Sequence, residues 1–187
     1  MNTPSPTRAL LHLVWPLYIS QIAWMANGVI DTVMAGRLSA LDLAAVGIAS
    51  SIQVTIVMSL MGVLFALPPI VAHLQGAGRP ADIGRELHQS IWVALALGVI
   101  AVAPLLNPEP FLAISRLEPA VEAKVRDYLA ASAWGVPAGL AFRLFMGLFT
   151  GIGRPRPVMH FNLAALAIKA PLNAVFMYGL LGMPALG

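Results

Sequence analysis

Hydrophobic residues are grouped along the chain in five long runs, which short polar breaks separate. The runs cover approximately residues 13–36, 43–75, 88–107, 125–152 and 158–181. Apolar runs of roughly 20 residues or more are typical of transmembrane helices. No stretch shows the sustained alternation of apolar and polar residues that predicts a strand. Because lipid offers the backbone no hydrogen-bond partners, we predict five membrane-spanning α-helices.

The polar breaks carry residues that end and restart helices. The segment 76–80, with two glycines before its proline, predicts a helix end followed by a new start. The proline pair at 68–69 predicts a distortion inside the second run, because proline donates no backbone hydrogen bond. The longest break, 107–127, is predicted to be partly helical and to lie at the membrane surface, since Glu122 and Arg126 are four residues apart.

Composition supports a membrane protein in contact with lipid and argues against other classes. Of 187 residues, 59% are hydrophobic and 10% are charged, whereas a soluble domain carries about 25% charged residues. The net charge is +3, and the basic residues lie mostly at the ends of apolar runs. This placement favours membrane anchors over a nucleic-acid-binding patch.

The residue types that build most catalytic and metal sites are sparse. There is no cysteine, and the four histidines are scattered, so no metal site is firmly predicted. The chain contains no hydrolase motif and no phosphate-binding or dinucleotide-binding loop. We therefore expect a protein that is not an enzyme and that has no cofactor.

Two features predict how the helices are placed in the membrane. The first apolar run is too long for the core of a signal peptide, and no small-residue cleavage site follows it, so we predict that it stays as a helix. Positive residues favour the cytoplasmic side of a membrane. The break GRPRP at 153–157 is basic and has no acidic residue, which favours a cytoplasmic N-terminus and places Gly187 outside.

The first run carries a polar arc that ends in a carboxylate. On a helical wheel, one arc of about 120° holds Ser20, Gln21, Trp24, Asn27, Gly28 and Asp31. An aspartate at the centre of a spanning helix costs about 2.5–3.5 kcal/mol, and such residues face a bundle interior or a water-filled cavity. We interpret the arc as cavity-facing, with Gln21 and Asn27 as candidate substrate contacts. The alternative is that Asp31 is a helix-end carboxylate held by interfacial water.

The fifth run contains a second group of polar residues. Lys169 and Asn173 are four residues apart and therefore share one helix face. Pro171 donates no backbone hydrogen bond, which frees the Ala167 carbonyl. If the first and fifth helices run in the same direction, Asp31 and Asn173 differ in height by about 6 Å at 1.5 Å per residue. We therefore expect Asp31 to meet Asn173 and Lys169, either as an ion site or as a polar pair that only holds the bundle together.

Two other helices carry features that we interpret as structural. Small residues recur in the second run at every fourth position or close to it, which predicts close helix packing, with substrate contact as the alternative. They are Gly47, Ser51, Thr55, Ser59 and Gly62. In the fourth run, Arg143 lies about ten residues from the basic GRPRP break. We expect it to extend towards the interface or to pair with an inward partner, and we keep it as a candidate cavity residue.

Five motifs resemble one transporter family. They are WPLYISQIAWMANGVIDTVMAG, LAAVGIASSI, ALPPIVAHLQGAGR, GRPRPVM and KAPLNAVFMYGLLGMPALG. They resemble the multidrug and toxic compound extrusion (MATE) transporters in order and spacing, and the bacterial NorM-type branch most of all. The resemblance extends from about Leu13 to Gly187, which is nearly the whole chain.

The resemblance implies an antiporter in the bacterial cytoplasmic (inner) membrane that exports cationic amphipathic drugs in exchange for Na⁺ or H⁺. The family fold has twelve helices in two six-helix lobes. Residues 1–187 then correspond to part of the N-terminal lobe, so a sixth helix and a second lobe, or another chain, must complete the transporter. Asp31 occupies the position of the family's cation-coupling aspartate, and Asn173 matches a polar position of the same site.

One position departs from the family pattern. Lys169 stands where related members often carry an asparagine that helps to hold the cation. An ammonium group there disfavours Na⁺ by repulsion of like charges, although Na⁺ at Asp31 stays a possible metal. Proton exchange, or a charge pair that opens during transport, becomes the more plausible form of coupling.

The 187-residue length keeps other functions open. The chain alone fits an inactive remnant or a non-transporting membrane scaffold. A lipid-linked oligosaccharide flippase of the same broad superfamily is less favoured. Such proteins line their cavity with basic residues, and only Arg143 and Lys169 offer them here.

Overall fold

The computed structural model describes residues 6–115 and 117–178. Within these ranges the chain is helical and contains no strand. The helices are α1 (Pro6–Leu38), α2 (Ala40–Leu64), α3 (Leu67–Gly76), α4 (Pro80–Leu106), α5 (Glu109–Ser115), α6 (Pro119–Gly151) and α7 (Arg156–Tyr178).

Five helical segments in the described residues are long and apolar enough to cross a membrane. They are Leu13–Leu38, Ala40–Gly76, Pro80–Leu106, Pro119–Gly151 and Arg156–Phe176. The predicted class, an all-α multi-pass membrane protein with five spanning helices, is confirmed. The short helix α5 lies in the connection that the sequence predicted to be partly helical.

Two spanning helices begin earlier than the apolar runs that predicted them. The third and fourth spanning helices begin at Pro80 and Pro119, several residues before the predicted starts at 88 and 125. Charged residues were counted there as breaks, but a helix can continue through them where water reaches its end. The last three residues of the fifth predicted run, 179–181, lie outside the described residues.

Prolines and glycines end the helices as the sequence predicted. The second run divides at Phe65 and Ala66, which places Pro68 in the first turn of α3, where a missing N–H costs little. Helix α3 ends at Gly76, and Gly78 follows with φ +69°, a left-handed conformation that favours glycine. Pro80 then starts α4.

A hydrophobic core joins α2, α3, α4, α5 and α6, and α6 lies against most of the others. Its largest fully buried side chains include Val71, Leu105, Val125 and Leu129. Helices α3 and α6 approach closely because α6 presents two glycines to α3. A Cβ atom on Gly147 would lie 3.2 Å from Leu67, and one on Gly151 would lie 2.6 Å from Val71.

Helices α1 and α7 form a pair beside this core. Helix α1 packs against α7 and α2, while aromatic rings join α7 to α6, with Phe161 stacked 4.6 Å from Phe142. We call the end of the bundle that contains the α1–α2 turn the Leu38 end, and the opposite end the Gly76 end. Successive spanning segments alternate in direction, so the α4–α6 connection also lies at the Leu38 end.

Ion pairs tie the connections together at the Leu38 end. Lys124 Nζ of α6 lies 2.5 Å from Asp42 Oδ1 of α2. Arg126 contacts Glu122 at 3.0 Å and also binds Glu109 of α5. The hydrogen bond from Arg126 holds the pKa of the Glu109 carboxyl below its ordinary value of 4.5. The predicted surface character of segment 107–127 agrees with these charged contacts.

The prediction that the small residues of α2 pack against another helix is wrong for the described part of the chain. All five stripe positions are exposed, and a Cβ atom on Gly47 or Gly62 would meet nothing within 4 Å. The hydroxyl groups instead donate to carbonyls of α2 itself, as Thr55 does to Ser51 O at 2.8 Å. Since the hydroxyls are satisfied within their own helix, they need no partner helix. The face of α2 that packs carries Ala45 and Ala49.

Candidate functional site

Asp31 of α1 is bound by two side chains of α7. Lys169 Nζ lies 2.6 Å from Asp31 Oδ2, and Asn173 Nδ2 donates to Asp31 Oδ1 at 2.8 Å. Each carboxylate oxygen therefore accepts a hydrogen bond from a different residue of one helix. The contact that the sequence predicted between these three residues is present.

The pair is half-buried within two membrane-spanning segments. The side chains of Lys169 and Asp31 are 38% and 33% exposed. An isolated carboxylate at this position carries a large desolvation cost, and the ammonium group of Lys169 balances its charge. The contacts at Asp31 thus join α1 and α7.

A second polar contact fixes the register of α1 and α7. Asn162 donates a hydrogen bond to Ser20, and both side chains are buried, with 7% and 4% exposure. Ser20 and Asn162 are 142 positions apart in the chain, and so are Asp31 and Asn173. An equal offset at two levels means that α1 and α7 run parallel in one register. The two polar contacts are about 16 Å apart along the helices, at 1.5 Å per residue.

Asn162 contributes a contact between α1 and α7 that the sequence interpretation missed. Its signal is the spacing of polar residues on α7, where Asn162, Lys169 and Asn173 lie at i, i+7 and i+11. These spacings place three side chains on one narrow stripe of a helix. Helix α1 carries polar residues at the same spacing.

The polar stripe of α1 consists of Ser20, Asn27 and Asp31, also at i, i+7 and i+11. Asn27 is half-buried and donates its Nδ2 to the Ala23 carbonyl at 2.9 Å. In the common register of the two helices, Asn27 is level with Lys169. Lys169 therefore reaches about one turn along α1 to contact Asp31.

The structure does not bring the other candidate cavity residues to Asp31. Gln21 is exposed beside the α1–α7 contact. The guanidinium of Arg143 on α6 lies 3.9 Å from the centre of the Phe65 ring, at the junction of α2 and α3. The contact is a cation–π interaction, and its ring is 49% exposed rather than directed inward.

Comparison with known proteins places the chain in a family. The MatE family model matches residues 16–175, a range that includes every residue of the Asp31 site. The chain belongs to the MatE family. This result confirms the resemblance to MATE transporters.

Two curated relatives illustrate the similarity. The chain is 40% identical over 178 residues to "Probable multidrug resistance protein NorM" of Aromatoleum aromaticum, covering 95% of this chain and 38% of that protein. It is 38% identical to "Multidrug resistance protein MdtK" of Edwardsiella ictaluri, covering 96% of this chain and 40% of that protein. The chain therefore spans about two fifths of the length of these relatives.

A solved structure supports the fold. A chain described as protein C superposes with a TM-score of 0.70 at 31% identity. The match covers 100% of this chain and 40% of that chain. The extent of all three matches agrees with one lobe of a two-lobed transporter.

Proposed function

We propose that this sequence forms part of a cation-coupled multidrug efflux antiporter of the bacterial inner membrane, which exports cationic amphipathic compounds. The observation that carries the proposal is the Asp31 carboxylate, held at membrane depth by Lys169 and Asn173. Membership in the MatE family supports it, as do relatives named multidrug resistance proteins. The protein acts as a transporter and not as an enzyme.

Asp31 is the proposed residue that binds and releases the coupling cation, H⁺ or Na⁺. A cation can drive transport only if it binds one conformation of the protein more tightly than another. The Asp31 contacts lie between two helices, so a change at the carboxylate alters the free energy of the α1–α7 interface directly. Lys169 and Asn173 set the charge and the hydrogen bonding that the cation must replace.

The proposed drug-binding region lies on the polar arc of α1. Gln21 and Trp24 are exposed on this helix and offer an amide and an aromatic ring to a cationic ligand. Asn27 is half-buried between this surface and α7. Arg143, stacked on Phe65, fits a packing role better than a cavity role. A further helix and a second lobe, supplied by a longer chain or a partner chain, are needed to close the cavity.

The proposal is tested by ethidium efflux from cells. One set expresses the 187-residue chain, and a second set expresses it joined to the remaining part of a NorM-type relative. We expect export from the completed protein and its loss on Asp31→Asn. The matched control is Asp82→Asn, because Asp82 is paired with Arg79 and Arg85 at the Gly76 end, far from the site.

Each other outcome has a definite meaning. Unchanged efflux with Asp31→Asn contradicts the coupling role of Asp31. Normal membrane insertion without export in either set favours the non-transporting scaffold. Export by the 187-residue chain alone, dependent on Asp31, shows that it functions without a second lobe.

A further inference from the structure

The two hydrogen bonds at Asp31 direct N–H donors, and not further oxygen ligands, at the carboxylate. Alkali and alkaline-earth ions require several oxygen lone pairs around them. Here one N–H donor of α7 is directed at each carboxylate oxygen, from Lys169 at 2.6 Å and from Asn173 at 2.8 Å. Because Asn173 turns its NH₂ group towards Asp31, its amide oxygen is directed away from the carboxylate.

Charge opposes a metal ion at the same place. The Lys169 ammonium already lies against Asp31 Oδ2. A monovalent ion bound to this carboxylate would lie within about 4 Å of the ammonium group, where repulsion is strong at a half-buried site. The anchor of Lys169 is fixed as well, since α1 and α7 share one register at Ser20–Asn162 and at Asp31–Asn173.

We propose that Lys169 is a tethered cation that occupies the ion position of Asp31, so that this site takes no sodium ion. The inference rests on the proposed function in one respect, that Asp31 is where a coupling cation would bind. Lys169 is thus the residue that determines ion specificity at this site. It supplies from the protein the positive charge that a metal ion would otherwise supply.

The same geometry predicts how the specificity changes. Lys169→Asn removes the ammonium group and adds an amide oxygen one helical turn from Asn173. The Asp31 carboxylate then keeps its contact with Asn173, gains an amide at position 169 and no longer faces a competing positive charge. We expect this variant to bind sodium where the unmodified chain does not.

The test is binding of radioactive sodium to the purified 187-residue chain in lipid nanodiscs, displaced by excess unlabelled sodium chloride. Choline chloride keeps the ionic strength constant. The unmodified chain should bind no displaceable sodium at Asp31, so Asp31→Asn should leave its sodium binding unchanged. Lys169→Asn should raise displaceable binding by about tenfold or more. The double variant Lys169→Asn with Asp31→Asn should lose this gain.

Arg143→Gln is the matched control, because it removes a different half-buried cation, which stacks on Phe65. It should produce no sodium binding. Lys169→Gln is the second variant if Lys169→Asn does not fold, since it also replaces the ammonium with an amide. Circular dichroism and a single elution peak establish that each variant is folded.

Two results overturn the proposal. The first is sodium binding to the unmodified chain that disappears with Asp31→Asn. The second is a folded, neutral variant at position 169 that gains no sodium binding, because Lys169 would then not be what excludes the ion. Neither result depends on drug export, so failure of this proposal is distinguishable from failure of the proposed antiporter function.

Discussion

A carboxylate in a spanning helix is stabilised only by the groups that reach it. For Asp31 these groups come from α7, and each oxygen has its own donor. Removing one partner of such a pair leaves a charge without compensation, which costs more than removing both. The same contacts at Asp31 therefore determine both the stability of the α1–α7 pair and the proposed ion specificity.

Lys169→Met is expected to destabilise the chain more than loss of the Lys169–Asp31 ion pair alone would. The uncompensated Asp31 carboxylate should lower the free energy of unfolding by about 1–3 kcal/mol. Adding Asp31→Asn should recover part of this loss, because it removes the unpaired charge. Thermal unfolding in detergent measures both variants, and purely additive effects would contradict the coupling of these two residues.

The sequence predicted the Asp31 contact because polar residues in apolar helices are rare and their heights can be compared. Lys169 and Asn173 stood out for this reason. Asn162 was missed because a single amide near a helix start is unremarkable until its partner Ser20 is known. The small residues of α2 do not pack on another helix within the described residues, and their hydroxyls bond carbonyls of their own helix instead.

At the scale of elements, the close approach of α3 and α6 depends on two glycines four residues apart. Small residues at this spacing let helix backbones meet. A Cβ atom on Gly151 would lie 2.8 Å from the Pro68 carbonyl oxygen as well as 2.6 Å from Val71. Backbone atoms cannot move aside as a flexible side chain can, so α3 itself must shift.

Gly151→Ala should therefore destabilise the protein by about 1–3 kcal/mol, the usual cost of overpacking. Gly139→Ala on the same helix is the control, since its Cβ atom would meet nothing within 4 Å. The control should be neutral or slightly stabilising, because alanine favours a helix more than glycine does. Equal thermal unfolding midpoints for the two variants would contradict the predicted α3–α6 contact.

The attachment of α5 to α6 should depend on pH. Arg126 lowers the pKa of Glu109 below its ordinary value of 4.5. A carboxyl whose pKa is lowered in the folded state stabilises that state at pH values above its unfolded pKa. This contribution is lost as the pH falls through the folded pKa. Proteolysis of the segment around α5 should thus accelerate below about pH 4.5.

Glu109→Gln should remove this pH dependence, since glutamine stays neutral throughout. Glu86→Gln, at the opposite end of the bundle, should leave it intact. Because Glu109 is largely exposed, the effect should be confined to α5 and should weaken in high salt. A pH dependence that persists in Glu109→Gln would assign it to another group.

For the whole molecule, the number of spanning helices was predictable and their arrangement was not. Length and hydropathy alone identify five segments in the part of the chain that the structure describes. Hydropathy does not predict which helices contact each other, because a face that packs on lipid and a face that packs on another helix are both apolar. Exposed side chains of α1 such as Met25 and Val29 show this ambiguity. Among the described residues, the polar contacts at two levels fix the register of α1 against α7.

The basic residues of the connections predict the orientation of the bundle in the membrane. The basic break at 153–157 lies at the Gly76 end, so the positive-inside tendency places that end in the cytoplasm and the Leu38 end outside. Because the chain has no cysteine, a single introduced cysteine reports without background. Ala40→Cys, exposed at the Leu38 end, should react with a membrane-impermeant maleimide in intact cells. Ala77→Cys, exposed at the Gly76 end, should react only after lysis. The reverse labelling pattern would show that the orientation is opposite to the predicted one.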